Sequence, residues 1–205
     1  PHDQSSAASD VYKRQSLSPV AICSKLTKLG YDDREIEEIK NCNEVFSSGN
    51  MPYVLMATLA RLLLEEHSWD GKGSVQTHDA PGITFKRPVL IELHHADPTT
   101  AALFADIQQT LGLPFVNTDY RAFARWPSYF NPAWIDLRSI ILREEYEHAV
   151  RRVHDAAVLL VDSLPNMSKI TPQQLIGCAT KDEQLSEVLS VVRLFQWLLP
   201  GLAVN

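Results

Sequence analysis

Four helix starts of one kind constrain what this 205-residue chain can fold into. At each of them, a residue that readily caps a helix stands directly before a proline: Ser18-Pro19, Asp97-Pro98, Asn131-Pro132 and Thr171-Pro172. The cap side chain accepts a hydrogen bond from an N–H group that has no partner within the helix, and proline has no N–H group to leave unpaired. We therefore predict an all-α fold with helices beginning at these four positions.

The spacing of apolar residues predicts further helices. Asp32 and Glu35 have the spacing of a capping box, which indicates another helix start. The stretch Gly49–Tyr53, taken by itself, is typical of a turn, with Pro52 opening a new helix. From Asn131, one long helical pattern runs to about Ser163.

Two shorter segments are less regular. The apolar run Val89–Leu93 fits a strand, an extended lead-in or a helix turn. Further along, Asn117 or Thr118 caps a short helix with Asp119 in its first turn. There the helix dipole stabilises an anion, so Asp119 taken by itself is a capping acid.

Composition and charge exclude two classes of partner. The formal net charge is −6, so the chain has no basic excess with which to neutralise phosphates, and we expect no nucleic-acid partner. Its nearly uncharged apolar stretches fall short of the roughly 20 residues that a membrane helix needs, so we also expect no membrane partner.

Cysteine and histidine usage argues against a metal centre or a dithiol enzyme. The three cysteines form no CxxC motif, which disfavours a disulfide framework, structural zinc and a redox enzyme of the helical peroxidase-like kind, and fits the cytoplasm. His94 and His95 are adjacent, and His148 and His154 are six residues apart, whereas ligands on one helix face are three or four apart. We predict no metal site.

The chain divides by composition into four segments. Residues 1–15 are polar and aperiodic, and DVYKRQ within them looks like the translation of a transposon end used in preparing sequencing libraries. We therefore interpret them as a non-native leader, the alternative being a genuine disordered one. Two helical segments follow, at residues 16–67 and 89–205, and a connection that contains Gly and Pro joins them at 68–88. The two helical segments show a faint repeat.

Two segments carry a resemblance to a known family. LTKLGYDDREIEEIKNCNEVFSSGNMPYVLMATL (Leu26–Leu59) and NTDYRAFARWP (Asn117–Pro127) resemble the group I 2-haloacid dehalogenases. The family pattern has Gly-Phe/Tyr-Asp-Asp, Glu-Ile-Glu, Gly-Asn and Tyr in the first segment. In the second it has a small or hydroxyl residue, Asp, an aromatic residue, Ala and Trp-Pro.

The resemblance implies a fold of two tandem helical pseudo-repeats with the active site between them. It also implies that residues 16–67 are only the C-terminal part of the first repeat. We expect from this that the chain by itself has little or no activity, because pocket residues from the missing part have no counterpart here.

The resemblance implies a role for five residues. Asp119 matches the catalytic aspartate that activates the attacking water, and Asn50 matches the asparagine that holds this water. Tyr53, Thr118 and Phe195 match substrate-binding positions, and Val192 stands where a second pocket aromatic is expected.

The implied reaction is hydrolysis of 2-haloalkanoic acids to 2-hydroxy acids, without a covalent ester intermediate. It implies a small-molecule 2-haloacid as partner and no metal or organic cofactor, and it leaves a homodimer open. The alternative function is a non-catalytic helical binding or scaffold protein, in which Asn50 and Asp119 have only structural roles.

Overall fold

A computed structural model describes residues 17, 22, 25–74, 88–178 and 182–205. Within these residues the chain forms α-helices and two 3₁₀ turns, Thr27–Leu29 and Leu93–His95, with no strand and one isolated bridge between Lys72 and Pro165. The all-α prediction is confirmed. The helices are α1 (Asp33–Leu64), α2 (Pro98–Leu111), α3 (Thr118–Phe123), α4 (Pro127–Ile141), α5 (Glu144–Val161), α6 (Pro172–Ile176) and α7 (Asp182–Val204).

Three of the predicted helix starts are confirmed by their hydrogen bonds. Asp97 Oδ1 accepts from the backbone N–H groups of Thr99 and Thr100 at 2.9 and 3.1 Å. Thr171 forms a capping box with Gln174. Asp32 and Glu35 form the predicted box as well, at 2.8 and 3.2 Å. The start at Ser18-Pro19 and residues 1–15 lie outside the described residues.

The prediction that Pro52 opens a new helix is wrong, because Pro52 lies inside the continuous 32-residue helix α1. Proline removes one hydrogen bond and costs roughly 3 kcal/mol or more in a helix interior. On the C-terminal side, α1 buries Val54 and Leu63, which are 1% and 3% exposed. Each buried aliphatic side chain stabilises by about 1.5–3 kcal/mol, so burial on this scale offsets the proline.

The predicted start at Asn131 and the single long helix that follows it are also wrong. The helix begins earlier, at Pro127, and Pro132 lies in its interior. The chain leaves helical geometry at Leu142, and α5 begins at Glu144 with three acidic residues in its first turn. Acidic side chains stabilise a helix N-terminus, which favours a new helix here over continuation of the old one.

The described residues form two compact units. The first comprises residues 47–74, 144–178 and 182–205, and the second comprises residues 17, 22, 25–46 and 88–143. Helix α1 contributes to both. The linear division into 16–67, 68–88 and 89–205, and the tandem pseudo-repeat, stay predictions.

Each unit has its own apolar core. In the first unit, α5 packs against α7, and Val54, Val153 and Ala157 are buried together. In the second unit, α2 packs against α4, and a separate cluster is centred on Leu26, Ile39 and Trp126. The run Val89–Leu93 forms no strand: it is an extended lead-in to the 3₁₀ turn Leu93–His95.

One helix in the described part of the chain is long and apolar enough to cross a membrane, judged by length and composition alone. It spans Gln184–Val204 in α7, with a mean hydropathy of 1.4. The expectation that every apolar stretch falls short of that length is therefore wrong. A core helix of a soluble protein passes the same test, and α7 packs against α5.

Candidate functional site

Asp119 lies in the first turn of the short helix α3, where the sequence predicts it. Its side chain is half-buried. The N-terminal position favours the ionised form of a carboxylate, because unpaired N–H groups there carry partial positive charge.

Buried aromatic residues hold this turn in place. Tyr120, which follows Asp119, is 4% exposed and packs edge-on against Trp134 with ring centroids 5.5 Å apart. It also stacks on Phe130 at 6.1 Å. On α4, Trp134 Nε1 donates to Asp106 Oδ2 at 2.7 Å. These contacts therefore hold the turn that carries Asp119 in place. A carboxylate that acts as a general base must be held within hydrogen-bonding distance of the proton that it accepts.

Two hydrogen bonds join α3 to the lead-in segment, one between backbone groups and one from the Arg121 side chain. Ile91 N donates to Arg121 O at 3.0 Å, and Arg121 Nε donates to Ile91 O at 3.2 Å. Arg121 also forms an ion pair with Glu92. The lead-in segment thus fixes α3 through a residue two positions after Asp119.

Asn117 and Thr118 directly precede Asp119, and neither side chain caps the helix as the sequence predicts. Asn117 occupies the N-cap position, but its side chain makes no capping hydrogen bond. Its Oδ1 is buried and has no hydrogen-bond partner within the described residues, whereas Thr118 is exposed. A buried acceptor without a partner costs about 1–3 kcal/mol, and such groups call for a functional explanation.

Two residues that sequence reasoning did not select act on the same region of the second unit. Burial raises the pKa of the Cys42 thiol on α1 to about 11. The Arg125 guanidinium opposes this shift and the Asp119 carboxylate adds to it. Arg125 also lies 3.8 Å from Glu38 Oε2 and 4.7 Å from the Trp126 ring centre. A cation and a polarisable thiol therefore share the electrostatic environment of Asp119.

Asn50 lies in the middle of α1, in the first unit, and not at the helix start that Pro52 would have created. It is 7% exposed, and its Nδ2 donates to Leu202 O on α7 at 3.4 Å. This bond fixes the plane of the amide. A buried amide with a fixed orientation is suited to holding a small polar molecule.

The other two predicted pocket residues of the first unit lie at different distances from Asn50. Tyr53 is 58% exposed and follows Asn50 by three positions, which places it on a neighbouring part of the helix surface. Phe195 is half-buried on α7, seven residues before Leu202, or about 10 Å along the helix axis. Asp119 and Thr118 belong to the second unit.

Within residues 25–74, 88–178 and 182–205, no group of three His, Cys, Asp or Glu side chains could hold a metal ion. The rings of His94 and His95 lie 4.0 Å apart, but no acidic or thiol side chain completes a ligand set with them.

Comparison with known proteins defines the class. Two solved structures match the fold over 97% of this chain and 72% of theirs, both at 31% identity. They are a complex of D-2-haloacid dehalogenase with L-LA, at a TM-score of 0.85, and a complex of a D-2-haloacid dehalogenase mutant with D-2-CPA, at 0.84. No family model matches the chain.

Curated relatives agree with the structures. The (R)-2-haloacid dehalogenase of Rhizobium sp. (strain NHG3) is 44% identical over 174 residues, which are 84% of this chain and 68% of the relative. That of Pseudomonas putida is 34% identical over 88% of this chain and 62% of its own length. The chain belongs to the group I 2-haloacid dehalogenase family, whose members are hydrolases of carbon–halide bonds.

Proposed function

We propose that the protein hydrolyses (R)-2-haloalkanoic acids to 2-hydroxy acids and halide. The observation that carries this proposal is the match to two (R)-2-haloacid dehalogenases, combined with Asp119 on a short helix that buried aromatic residues support. The proposal includes a cytoplasmic location. It also includes a homodimer, and sedimentation velocity tests this oligomeric state.

Asp119 acts as the general base. An aspartate in water has a pKa near 3.9, so it is ionised at neutral pH and accepts a proton from water as the new C–O bond forms. The water oxygen attacks the α-carbon opposite the halide, the C–halide bond breaks, and the halide leaves with the bonding electron pair. The proton goes to Asp119. The configuration at the α-carbon inverts, which agrees with a 22% identical relative named as configuration-inverting.

Asn50 orients the attacking water. Its amide plane is fixed by the bond to Leu202 O, so it supplies a hydrogen-bonding group in one direction. Holding water in line with the breaking bond removes orientational freedom before the reaction. Tyr53, Thr118 and Phe195 form part of the surface that binds the substrate.

Halide release tests the activity. The chain at high concentration is incubated with (R)-2-chloropropionate, and chloride is measured by ion chromatography. We expect slow release that Asp119→Asn reduces by about 10²–10⁴. Asp162→Asn is the matched control, since Asp162 is an exposed carboxylate at the end of α5, and it should keep the wild-type rate. Measurable halide release that is as fast in Asp119→Asn as in the wild type would overturn the proposal.

A double-mutant cycle tests whether Asn50 and Asp119 act on the same water. Groups that act as a unit give strongly non-additive effects on kcat. We expect Asn50→Ala to cost less than Asp119→Asn, and the double variant to be no slower than Asp119→Asn alone. Additive losses would show that the two residues act independently.

An isotope experiment tests direct attack by water. The enzyme, in excess over substrate, runs one turnover in water enriched in oxygen-18. Direct attack puts solvent label into the first hydroxy acid formed. If Asp119 attacked carbon to form an ester, the first product would carry unlabelled carboxylate oxygen and the label would stay in the protein. Unlabelled product contradicts the water mechanism even if Asp119 proves essential.

A further inference from the structure

A polar cluster in the first unit has no part in the proposed chemistry. Arg61 on α1 and His154 on α5 are each only 9% exposed. Arg61 Nη1 donates to Glu65 Oε2 at 2.9 Å, and Arg61 Nη2 lies 3.4 Å from His154 Nε2. Burying charged and polar groups is costly, so a cluster of this kind is weak evidence for stability and better evidence for conformational specificity.

The cluster contacts α7 at three residues. Arg193 Nε donates to Glu65 Oε1 at 3.0 Å, and Gln196 Nε2 lies 3.1 Å from His154 Nε2. The Trp197 ring stacks on His154, with centroids 4.5 Å apart. We call Arg61, Glu65, His154, Arg193 and Gln196 the arginine–histidine clamp.

The hydrogen-bonding pattern assigns the tautomer of His154. A guanidinium group is only a donor, so His154 Nε2 must be the acceptor for Arg61. The ring proton then sits on Nδ1, which donates to Asp155 Oδ1 at 3.0 Å. Asp155 therefore orients the ring, and His154 presents one acceptor towards both α1 and α7.

Phe195 stands between the clamp residues of α7, two positions after Arg193 and one before Gln196. Apolar packing alone is non-directional and fixes the rotation of a helix only loosely. Helix α7 leaves Val188, Val191 and Trp197 between 45% and 53% exposed, whereas Pro200 and Leu202 near its C-terminal end are buried, so apolar contacts restrain the part before residue 198 less than that end. Directional bonds at the clamp restrain the middle of α7, while Asn50 Nδ2 and Tyr146 Oη donate to Leu202 O and Gly201 O near its C-terminal end.

We propose that the arginine–histidine clamp sets the rotation of α7 and thereby the position of the Phe195 ring. The clamp thereby determines which 2-haloacid side chains fit against Phe195. This specificity role rests on the proposed function. Its members are positioning residues that act through Phe195, and they make no contact with the reacting atoms.

Two substitutions of similar volume separate the clamp's bonds from its packing. His154→Leu fills the space but leaves the donors of Arg61 and Gln196 without an acceptor. His154→Gln keeps an oxygen that accepts from both. His148→Leu is the matched control, because His148 lies on the same helix with a 58% exposed side chain.

¹⁹F NMR reports the position of the Phe195 ring and does not depend on enzyme activity. The chain has seven phenylalanines, so incorporation of 4-fluorophenylalanine gives seven ¹⁹F resonances, and Phe195→Leu identifies the one from Phe195. We expect His154→Leu to shift or broaden this resonance, and His154→Gln and His148→Leu to leave it at the wild-type position. An unmoved Phe195 resonance in His154→Leu, or an equal displacement in His154→Gln, would overturn the proposal.

Selectivity is then measured as the ratio of kcat/KM for 2-chloropropionate to that for 2-chlorobutyrate. We expect His154→Leu to change this ratio at least about threefold, mainly through KM, and His154→Gln to restore it. A displaced Phe195 with an unchanged ratio would overturn the specificity role. If the wild type releases no halide, the ¹⁹F result still decides the positioning role.

Discussion

Replacing Trp134 with phenylalanine should destabilise the second unit by about 2.5 kcal/mol. Trp134 is 2% exposed, and its indole N–H donates to the carboxylate of Asp106 at 2.7 Å. A hydrogen bond to a charged group contributes about 1.5–3 kcal/mol. We take the lower end, because Asp106 keeps its second partner, Arg138 Nε, at 3.2 Å. The smaller ring leaves a cavity that costs about 1 kcal/mol more.

Urea unfolding followed by circular dichroism measures this loss. With a slope of about 2 kcal/mol per molar, the midpoint should fall by about 1.2 M. Trp197→Phe is the matched control, because Trp197 is 45% exposed and makes no comparable bond to a carboxylate, so its midpoint should fall by less than about 0.5 M. If the urea midpoint falls no further in Trp134→Phe than in Trp197→Phe, the buried bond of Trp134 to Asp106 does not stabilise the second unit as argued.

Three further predictions use local features. Because burial raises the pKa of Cys42 to about 11, iodoacetamide at pH 8 should alkylate it at least about tenfold more slowly than the exposed Cys178, as mass spectrometry will show. Desolvation raises the pKa of Glu65, but hydrogen bonds and charges from two arginines outweigh it and lower the pKa overall. The stability advantage over Glu65→Gln should therefore be full at pH 7 and decline as the pH falls below about 4.3, and a constant advantage down to pH 3 would contradict this. Pro52→Ala restores a helix N–H group and should raise the melting temperature, whereas a fall would show that the proline is adapted to its site.

The helix starts that could be predicted are those decided within a few residues. Asp32, Asp97 and Thr171 each satisfy N–H groups two or three positions away, so their effect is visible in the sequence. The starts at Pro52 and Asn131 could not be predicted in this way. There the burial of distant residues against other helices exceeds the local cost of an interior proline, and this burial is a property of the folded unit.

The candidate site divides in the same manner. The place of Asp119 in a first turn follows from its local sequence, and its role follows from the resemblance. The Cys42 thiol near it comes from α1, the Arg125 guanidinium from the turn after α3, and the aromatic support of Trp134 from α4. The aromatic spacing of Tyr120, Phe130 and Trp134 was the available signal for that support. No local pattern indicated the arginine–histidine clamp, because its members come from three helices.

The wrong prediction at Gly49–Tyr53 is itself informative about function. Glycine and proline both disfavour a helix interior, at about 1 and 3 kcal/mol, yet here they flank Asn50 within one turn of a continuous helix. Real proteins depart from local rules of this kind mainly at functional or strained sites. Gly49 is close to the Tyr53 ring, 4.0 Å from where its Cβ would be, so a larger residue there would crowd Tyr53. The helix therefore departs from local propensity at the turn that carries Asn50, the residue to which the proposed function assigns the attacking water.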